Sequence, residues 1–236
     1  QLYNLDCVAY ESILLGLFSI WRGQPQDRPK ICEICTGFSR DGFFWHRPDR
    51  RSFIGVSENS DDYNWGNVQS AGGCCLIVKD KLCFYFSARR GVPGTPKSGI
   101  CTTNLAMLRR DGFASMDADE KQATLLTRKL VFSGKYLFVN VNTKNGELKV
   151  EVLDENNHVI EPFSKDNCVP VCCDSTSIQV RWKNADKISS VTMPVKFKFY
   201  VKNGQFFSFW VSKHASGQSD GFVAAGGPGF ETNRDT

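Results

Sequence analysis

Short apolar runs separated by turn signals dominate the chain. In the second half, apolar and polar residues alternate with period two, as in residues 196–200 (KFKFY). This alternation is typical of strands that bury one face. The pattern predicts an all-β chain without a long helix, and in the first half it predicts strands at residues 8–21, 34–39, 43–46, 74–78, 82–88 and 101–108.

The first half repeats itself. Arg22-Gly23 is followed by a second motif, RDGF at residues 40–43, and Arg90-Gly91 is followed by RDGF at residues 110–113. An apolar run precedes each Arg-Gly pair, and Asp-Gly supplies the positive φ angles that a tight hairpin turn needs. A repeat of short strands and turns predicts about two β-propeller blades over residues 1–118. We expect four strands in each blade, with loops at residues 55–73 and 91–99.

Residues 119–236 predict a second domain, an antiparallel β-sandwich that ends in a Gly-rich tail. Six or more alternating runs are separated by turn signals such as Asn145-Gly146 and Asn203-Gly204, which is the spacing of sandwich strands. We expect the core of this domain to contain Leu137, Val139, Leu148, Val150, Val180, Trp182, Phe197, Phe199, Phe207 and Phe209.

Charge and hydropathy argue against two classes of partner. The net charge is only +4, and the densest basic cluster, Arg47, Arg50 and Arg51, also contains Asp49. Nucleic-acid binding is not expected, because it requires a continuous basic surface. No apolar run approaches the ~20 residues of a membrane-spanning helix, so we expect no membrane span. The chain opens on Gln1 without a basic leader; a processed end and an arbitrary start both fit.

Ten cysteines are unusual for a chain of this length. Zinc ligation, disulfides and free thiols buried in strands are three open alternatives. The zinc alternative has one CxxC pair, Cys32 and Cys35, but the adjacent pairs 74–75 and 172–173 are poor ligands. Neighbouring strand side chains point to opposite faces of a sheet. We expect neither a metal nor a cofactor.

Carboxylates are the best candidates for chemistry, because hydrolysis of a glycosidic bond needs two of them and no cofactor. Glu11 lies at the start of a long apolar run (AYESILLGLFSIW), where a carboxylate is otherwise unexpected. Innermost propeller strands line the central pocket, so this position predicts a catalytic Glu11. The alternative is an edge glutamate that pairs with Arg22 or Arg40. The substrate-binding candidates are Asp6, Tyr10, Arg22, Trp65 and Arg89.

Five segments together resemble a group of bacterial and environmental proteins that are similar to family-32 glycoside hydrolases, such as invertases, levanases and inulinases. The segments are residues 10–23 (YESILLGLFSIWRG), 37–54 (GFSRDGFFWHRPDRRSFI), 98–118 (SGICTTNLAMLRRDGFASMDA), 135–141 (KYLFVNV) and 216–230 (SGQSDGFVAAGGPGF).

The resemblance implies the last two blades of a five-bladed propeller followed by a β-sandwich. Of the three acidic residues that this clan uses, only the acid/base glutamate maps here, onto Glu11, with Ser12 where the clan has cysteine. The implied function is the C-terminal part of a carbohydrate-active hydrolase that is inactive alone. Its partners are a carbohydrate and the missing blades from the same or another chain. The alternative is a non-catalytic carbohydrate-binding or structural module. We expect an extracellular or periplasmic location.

Overall fold

The fold is all-β, as the alternation predicts. A computed structural model describes residues 1–26, 28, 30–91, 100–188, 191 and 194–236, and of residues 70–74 only the backbone. Most of the predicted loop at 91–99 lies outside the described residues. The secondary-structure elements found among these residues are all β-strands. The described residues contain no helix that is long and apolar enough to cross a membrane. The strands are β1 (Leu2–Glu11), β2 (Ile13–Gly23), β3 (Ile31–Ser39), β4 (Asn67–Val78), β5 (Lys81–Arg89), β6 (Cys101–Arg109), β7 (Met116–Ala118), β8 (Ala123–Leu126), β9 (Tyr136–Asn142), β10 (Glu147–Leu153), β11 (Asp174–Gln179), β12 (Lys196–Lys202), β13 (Gly204–Ser212) and β14 (Phe222–Val223).

The chain forms two compact units. The first contains residues 1–108 and 221–235, and the second contains residues 109–220 and 236. These extents differ from the predicted domains, because the Gly-rich tail returns to the first unit. The backbone explains this return: Ala224 N–H donates to the carbonyl of Ala9, and Ala225 N–H donates to that of Cys75 (both 3.1 Å).

The first unit contains two antiparallel meander sheets, ordered β14-β1-β2-β3 and β4-β5-β6. The sheets lie against each other, with β4 in contact with β1, β2 and β3. The repeated motifs fall at equivalent points, Arg-Gly at the end of β2 and of β5, and Arg-Asp-Gly directly after β3 and after β6. Within the described residues, the repeat is therefore a three-stranded meander rather than four strands in each copy, and β14 adds a fourth strand to the first sheet.

The predicted strand at residues 8–21 is wrong as a single element. It is a hairpin of β1 and β2, with Tyr10 opposite Ile13 across a two-residue turn. Both arms are apolar, so the hydrophobic pattern runs through the turn without a break. The strand predicted at residues 74–78 begins earlier in the structure, at Asn67. The hydrophobic pattern missed the first half of this strand because that half is polar.

The predicted strand at residues 43–46 is also absent. After the Asp41-Gly42 turn the chain forms a loop. Of residues 43–46, only His46 pairs with β3, through two backbone hydrogen bonds to Phe38 (2.8 and 2.9 Å). The tryptophan of this loop, Trp45, packs edge-on against Phe18 at 5.4 Å between ring centroids. The aromatic residues after Gly42 suggested a strand. In the structure they belong to a loop that folds back onto the sheet.

The second unit is built from two antiparallel sheets, β10-β12-β8 and β11-β9-β13-β7. A single cluster of buried side chains contains residues of both sheets. Eight of the ten predicted core residues are buried in it: Leu137, Val139, Leu148, Val150, Val180, Trp182, Phe197 and Phe199.

The core prediction fails at Phe207. A β-bulge between Phe206 and Ser208 breaks the two-residue alternation of β13. Phe206 is therefore buried in the core, and Phe209 packs against it half-buried. Phe207 lies outside this core, where the guanidinium of Arg109 stands 4.8 Å from its ring centroid.

The bulge predicts opposite responses of neighbouring phenylalanines. We expect Phe206→Ala to lower the free energy of unfolding by about 3–5 kcal/mol, because it leaves a cavity in the core. Phe207→Ala removes a partly exposed ring and one cation–π contact, so the loss is about 1 kcal/mol or less. Urea unfolding followed by circular dichroism measures both. Equal losses, or a larger loss for Phe207→Ala, would contradict the described register.

Candidate functional site

Glu11 occupies the tight turn between β1 and β2. Its φ of 49° is in the left-handed region, which the first position of such a hairpin turn requires. Glycine, asparagine and aspartate are the usual residues there, because a side chain costs energy in this conformation. Glutamate is an unfavourable choice for the turn alone.

The carboxylate of Glu11 lies against the backbone of Gly221. A methyl group at Gly221 would stand 2.1 Å from Oε2 of Glu11 and 2.8 Å from its Cα. The next residue, Phe222, pairs with Glu11 as part of β14. A residue from the far end of the chain therefore fixes the surroundings of this half-buried side chain.

Tyr10, a predicted site residue, precedes Glu11 in the chain and is 3% exposed. Asp6 is five residues earlier on β1, about 16 Å away along the strand. It pairs with Leu17 in the sheet and accepts a hydrogen bond from Asn4 (3.2 Å). Asp6 and Glu11 are therefore not side by side.

Arg22 lies at the opposite end of the first sheet. β2 is eleven residues long, which puts Arg22 about 30 Å from the Glu11 turn. Its guanidinium forms an ion pair with Glu33 (3.1 Å) and donates to the carbonyl of Arg50 (2.9 Å). Arg22 therefore holds the chain that follows β3 against the sheet, and it does not reach Glu11.

Trp65 lies in a polar loop that is braced by Arg28. The guanidinium of Arg28 stands 5.4 Å from the Trp65 ring centroid and donates to its carbonyl (3.2 and 3.3 Å). It also donates to the carbonyl of Ser57 (2.6 Å) and pairs with Glu58 (2.7 Å). Sequence reasoning missed Arg28, because nothing in its polar neighbourhood (QPQDRPK) marks it out.

Arg89 is next to this loop. It is exposed at the end of β5, and its carbonyl accepts the N–H of Gly66 (2.7 Å). The following residue, Arg90, forms an ion pair with Asp61 (2.7 Å). We call Arg28, Trp65, Arg89 and Arg90 the arginine–tryptophan cluster; it is separate from the Glu11 turn.

The loop after β3 lies at the same end of the first sheet as Glu11, because Ser39 pairs with Leu14 close to that turn. The loop backbone is held by Asp41, whose Oδ1 accepts the N–H groups of Phe43 and Phe44 (both 2.9 Å). These hydrogen bonds lower the pKa of the Asp41 carboxyl. Ser39 Oγ accepts a further N–H from Gly42 (2.9 Å).

A groove on the second unit has a volume of about 540 Å³. Its lining includes Phe138, the exposed Cys172 and Arg181, and contains no carboxylate among the residues found to line it. It therefore lacks the acid pair that glycoside hydrolysis requires.

The side chains of nine of the ten cysteines are described, and all nine are free thiols. Cys32, Cys35, Cys75, Cys83 and Cys168 are buried, which is the arrangement that the free-thiol alternative predicts. Burial raises the pKa of Cys168 to about 11. The described residues contain no group of three or more His, Cys, Asp or Glu side chains arranged to hold a metal.

Comparison with known proteins gives one structural neighbour. No protein-family model matches the sequence, and no curated protein matches it significantly. The neighbour is a family-43 arabinoxylan arabinofuranohydrolase from Bacillus subtilis, solved in complex with cellotetraose, with 12% identity and a TM-score of 0.29. The match covers 89% of this chain and 54% of the enzyme, so the chain spans about half of its length. A TM-score this low does not establish a shared family or function, so the family-32 resemblance remains a prediction.

The Asp41 brace predicts a pH dependence of the loop. The folded-state pKa of Asp41 is lowered, so the stabilisation is present above its unfolded value of about 3.9 and is lost as the pH falls through the folded value. We expect the amide resonances of Phe43 and Phe44 to titrate with a midpoint below the ordinary aspartate value. Asp41→Asn should abolish this titration. A midpoint at or above the ordinary aspartate value would contradict the brace.

Proposed function

We propose that this chain is part of a carbohydrate-active protein of the glycoside-hydrolase type, with Glu11 as its acid/base carboxyl and Tyr10 beside it in the site. The second carboxylate comes from residues outside this chain, so the chain alone is inactive. The proposal includes an extracellular or periplasmic location, where polymeric glycans are met.

The single observation that supports this function is the conformation of Glu11. A glutamate in the left-handed region costs about 1–2 kcal/mol relative to glycine. Strained residues of this kind cluster at active sites, where another requirement outweighs stability. The absence of a side chain at Gly221 leaves room for the carboxylate. Both features fit a carboxyl that is kept for chemistry rather than for the turn.

The chemistry needs a second carboxylate at a defined distance. A retaining mechanism places the two carboxyl groups about 5–5.5 Å apart, and an inverting mechanism about 6.5–9.5 Å apart.

Two substitutions at one position test the role of Glu11 in the protein that carries this chain. Glu11→Gln keeps the size and the strain but removes the acid, so we expect turnover of a glycan to fall by about 100-fold or more. Glu11→Gly also removes the acid but relieves the strain, so we expect a fold at least as stable as the parent. Glycan hydrolysis assays and thermal unfolding measure the two effects. Parental turnover of Glu11→Gln, or a marked loss of stability in Glu11→Gly, would show that Glu11 serves the turn.

The second candidate function is carbohydrate binding without catalysis at the arginine–tryptophan cluster. Tyr63 is 45% exposed in the same loop as Trp65, and Arg89 is exposed next to it. An aromatic ring with nearby hydrogen-bond donors is a common way to hold a sugar.

Tryptophan fluorescence tests this alternative. We expect Trp65→Ala to weaken glycan binding by about tenfold and to abolish the ligand-induced fluorescence change, while Glu11→Gln leaves binding intact. The matched control is Tyr85→Ala, which removes an aromatic ring that is 51% exposed on β5. If Trp65→Ala binds glycan like the parent, the cluster has only a structural role.

A further inference from the structure

Phe43 and Phe44 are the two most exposed aromatic residues of the described chain, at 87% and 76%. Single exposed apolar residues are common on protein surfaces. Two adjacent phenylalanines in one loop are different, because together they expose a larger apolar area that water solvates poorly.

The loop that carries them is held by hydrogen bonds. Asp41 accepts the N–H groups of both residues, and the indole N–H of Trp45 donates to the carbonyl of Gly42 (3.0 Å). Trp45 is anchored in turn on Gly16 of β2, where a methyl group would stand 2.5 Å from its ring. Trp45 is thus turned toward the sheet, and the rings of Phe43 and Phe44, which precede it, are turned to solvent.

The position of the loop connects it with the proposed function. β3 ends at Ser39, which pairs with Leu14, and Leu14 also pairs with Ala9 close to the Glu11 turn. Adjacent strands lie about 4.8 Å apart, so the loop leaves the sheet roughly 5–10 Å from that turn. Gly42 borders the same Leu14, with 3.4 Å between a methyl at Gly42 and Cδ1 of Leu14.

We propose that Phe43 and Phe44 form a sugar-binding subsite for the glycan whose bond lies at Glu11. This inference rests on the proposed function. The C–H face of a sugar ring is apolar and packs on a flat aromatic ring, whereas its hydroxyl groups need hydrogen-bond donors. The exposed Arg40 at the base of the loop supplies such donors. The ligand is therefore an oligosaccharide or polysaccharide with a sugar unit next to the reacting one.

The test titrates the protein that carries this chain with cellotetraose, arabinoxylan, inulin and levan, and measures binding by calorimetry. We expect the parent to bind at least one of these glycans and Phe43→Ala/Phe44→Ala to weaken that binding by about tenfold or more. Phe43→Tyr/Phe44→Tyr keeps both flat rings and should bind like the parent. Met107→Ala is the control, because Met107 is 67% exposed elsewhere in the first unit.

The outcomes separate the subsite from the catalytic proposal. If Glu11→Gln keeps full turnover while the double alanine variant loses binding, the role of Glu11 fails and the subsite stands. Parental binding by the double alanine variant overturns the subsite, as does a parent that binds none of the four glycans. The subsite is also overturned, in favour of a membrane surface, if the double alanine variant keeps parental glycan binding but loses binding to phosphatidylserine vesicles that the parent shows.

Discussion

The first unit depends on backbone hydrogen bonds that the tail makes to both of its sheets. Residues 224–226 reach the first sheet at Ala9 and the second at Cys75 and Ile77, where the N–H of Ile77 donates to the carbonyl of Gly226 (2.8 Å). Without the tail, these edge groups would be left without their partners, which costs free energy when they are buried. The close approach of the tail to β4 requires glycine at position 227, since a methyl group there would stand 1.9 Å from the carbonyl oxygen of Ile77.

The same tail fixes the proposed site. β14 pairs with Glu11, and Gly221 leaves the space into which the carboxylate fits. The position of one acid therefore depends on residues about two hundred positions later in the chain. A site built in this way forms only once the first unit has closed, so its precision comes from tertiary structure rather than from the local turn.

Local periodicity predicted the all-β chain and most of the sandwich core, because alternation reports which face of a strand is buried. It failed wherever one residue changes the register. The turn at Glu11 lies inside an unbroken apolar run, and the bulge at Phe207 inverts the facing of the residues after it. The return of the tail and the brace around Arg28 had no local signal, since both depend on contacts between distant residues.

The arginine–tryptophan cluster and the Glu11 end of the first sheet differ in how their polar groups are used. At the arginine–tryptophan cluster, Arg28 and Arg90 donate to carboxylates and carbonyls of the loop that they hold. Their hydrogen-bonding capacity is largely spent on the fold, because a guanidinium has five N–H groups and the loop takes most of those of Arg28. At the Glu11 end, Asp41 and Ser39 organise the backbone instead, and the rings of Phe43 and Phe44 remain turned to solvent. Exposed groups that the fold holds in place without contacting them are better able to bind a ligand. This comparison favours the Glu11 end as the functional one.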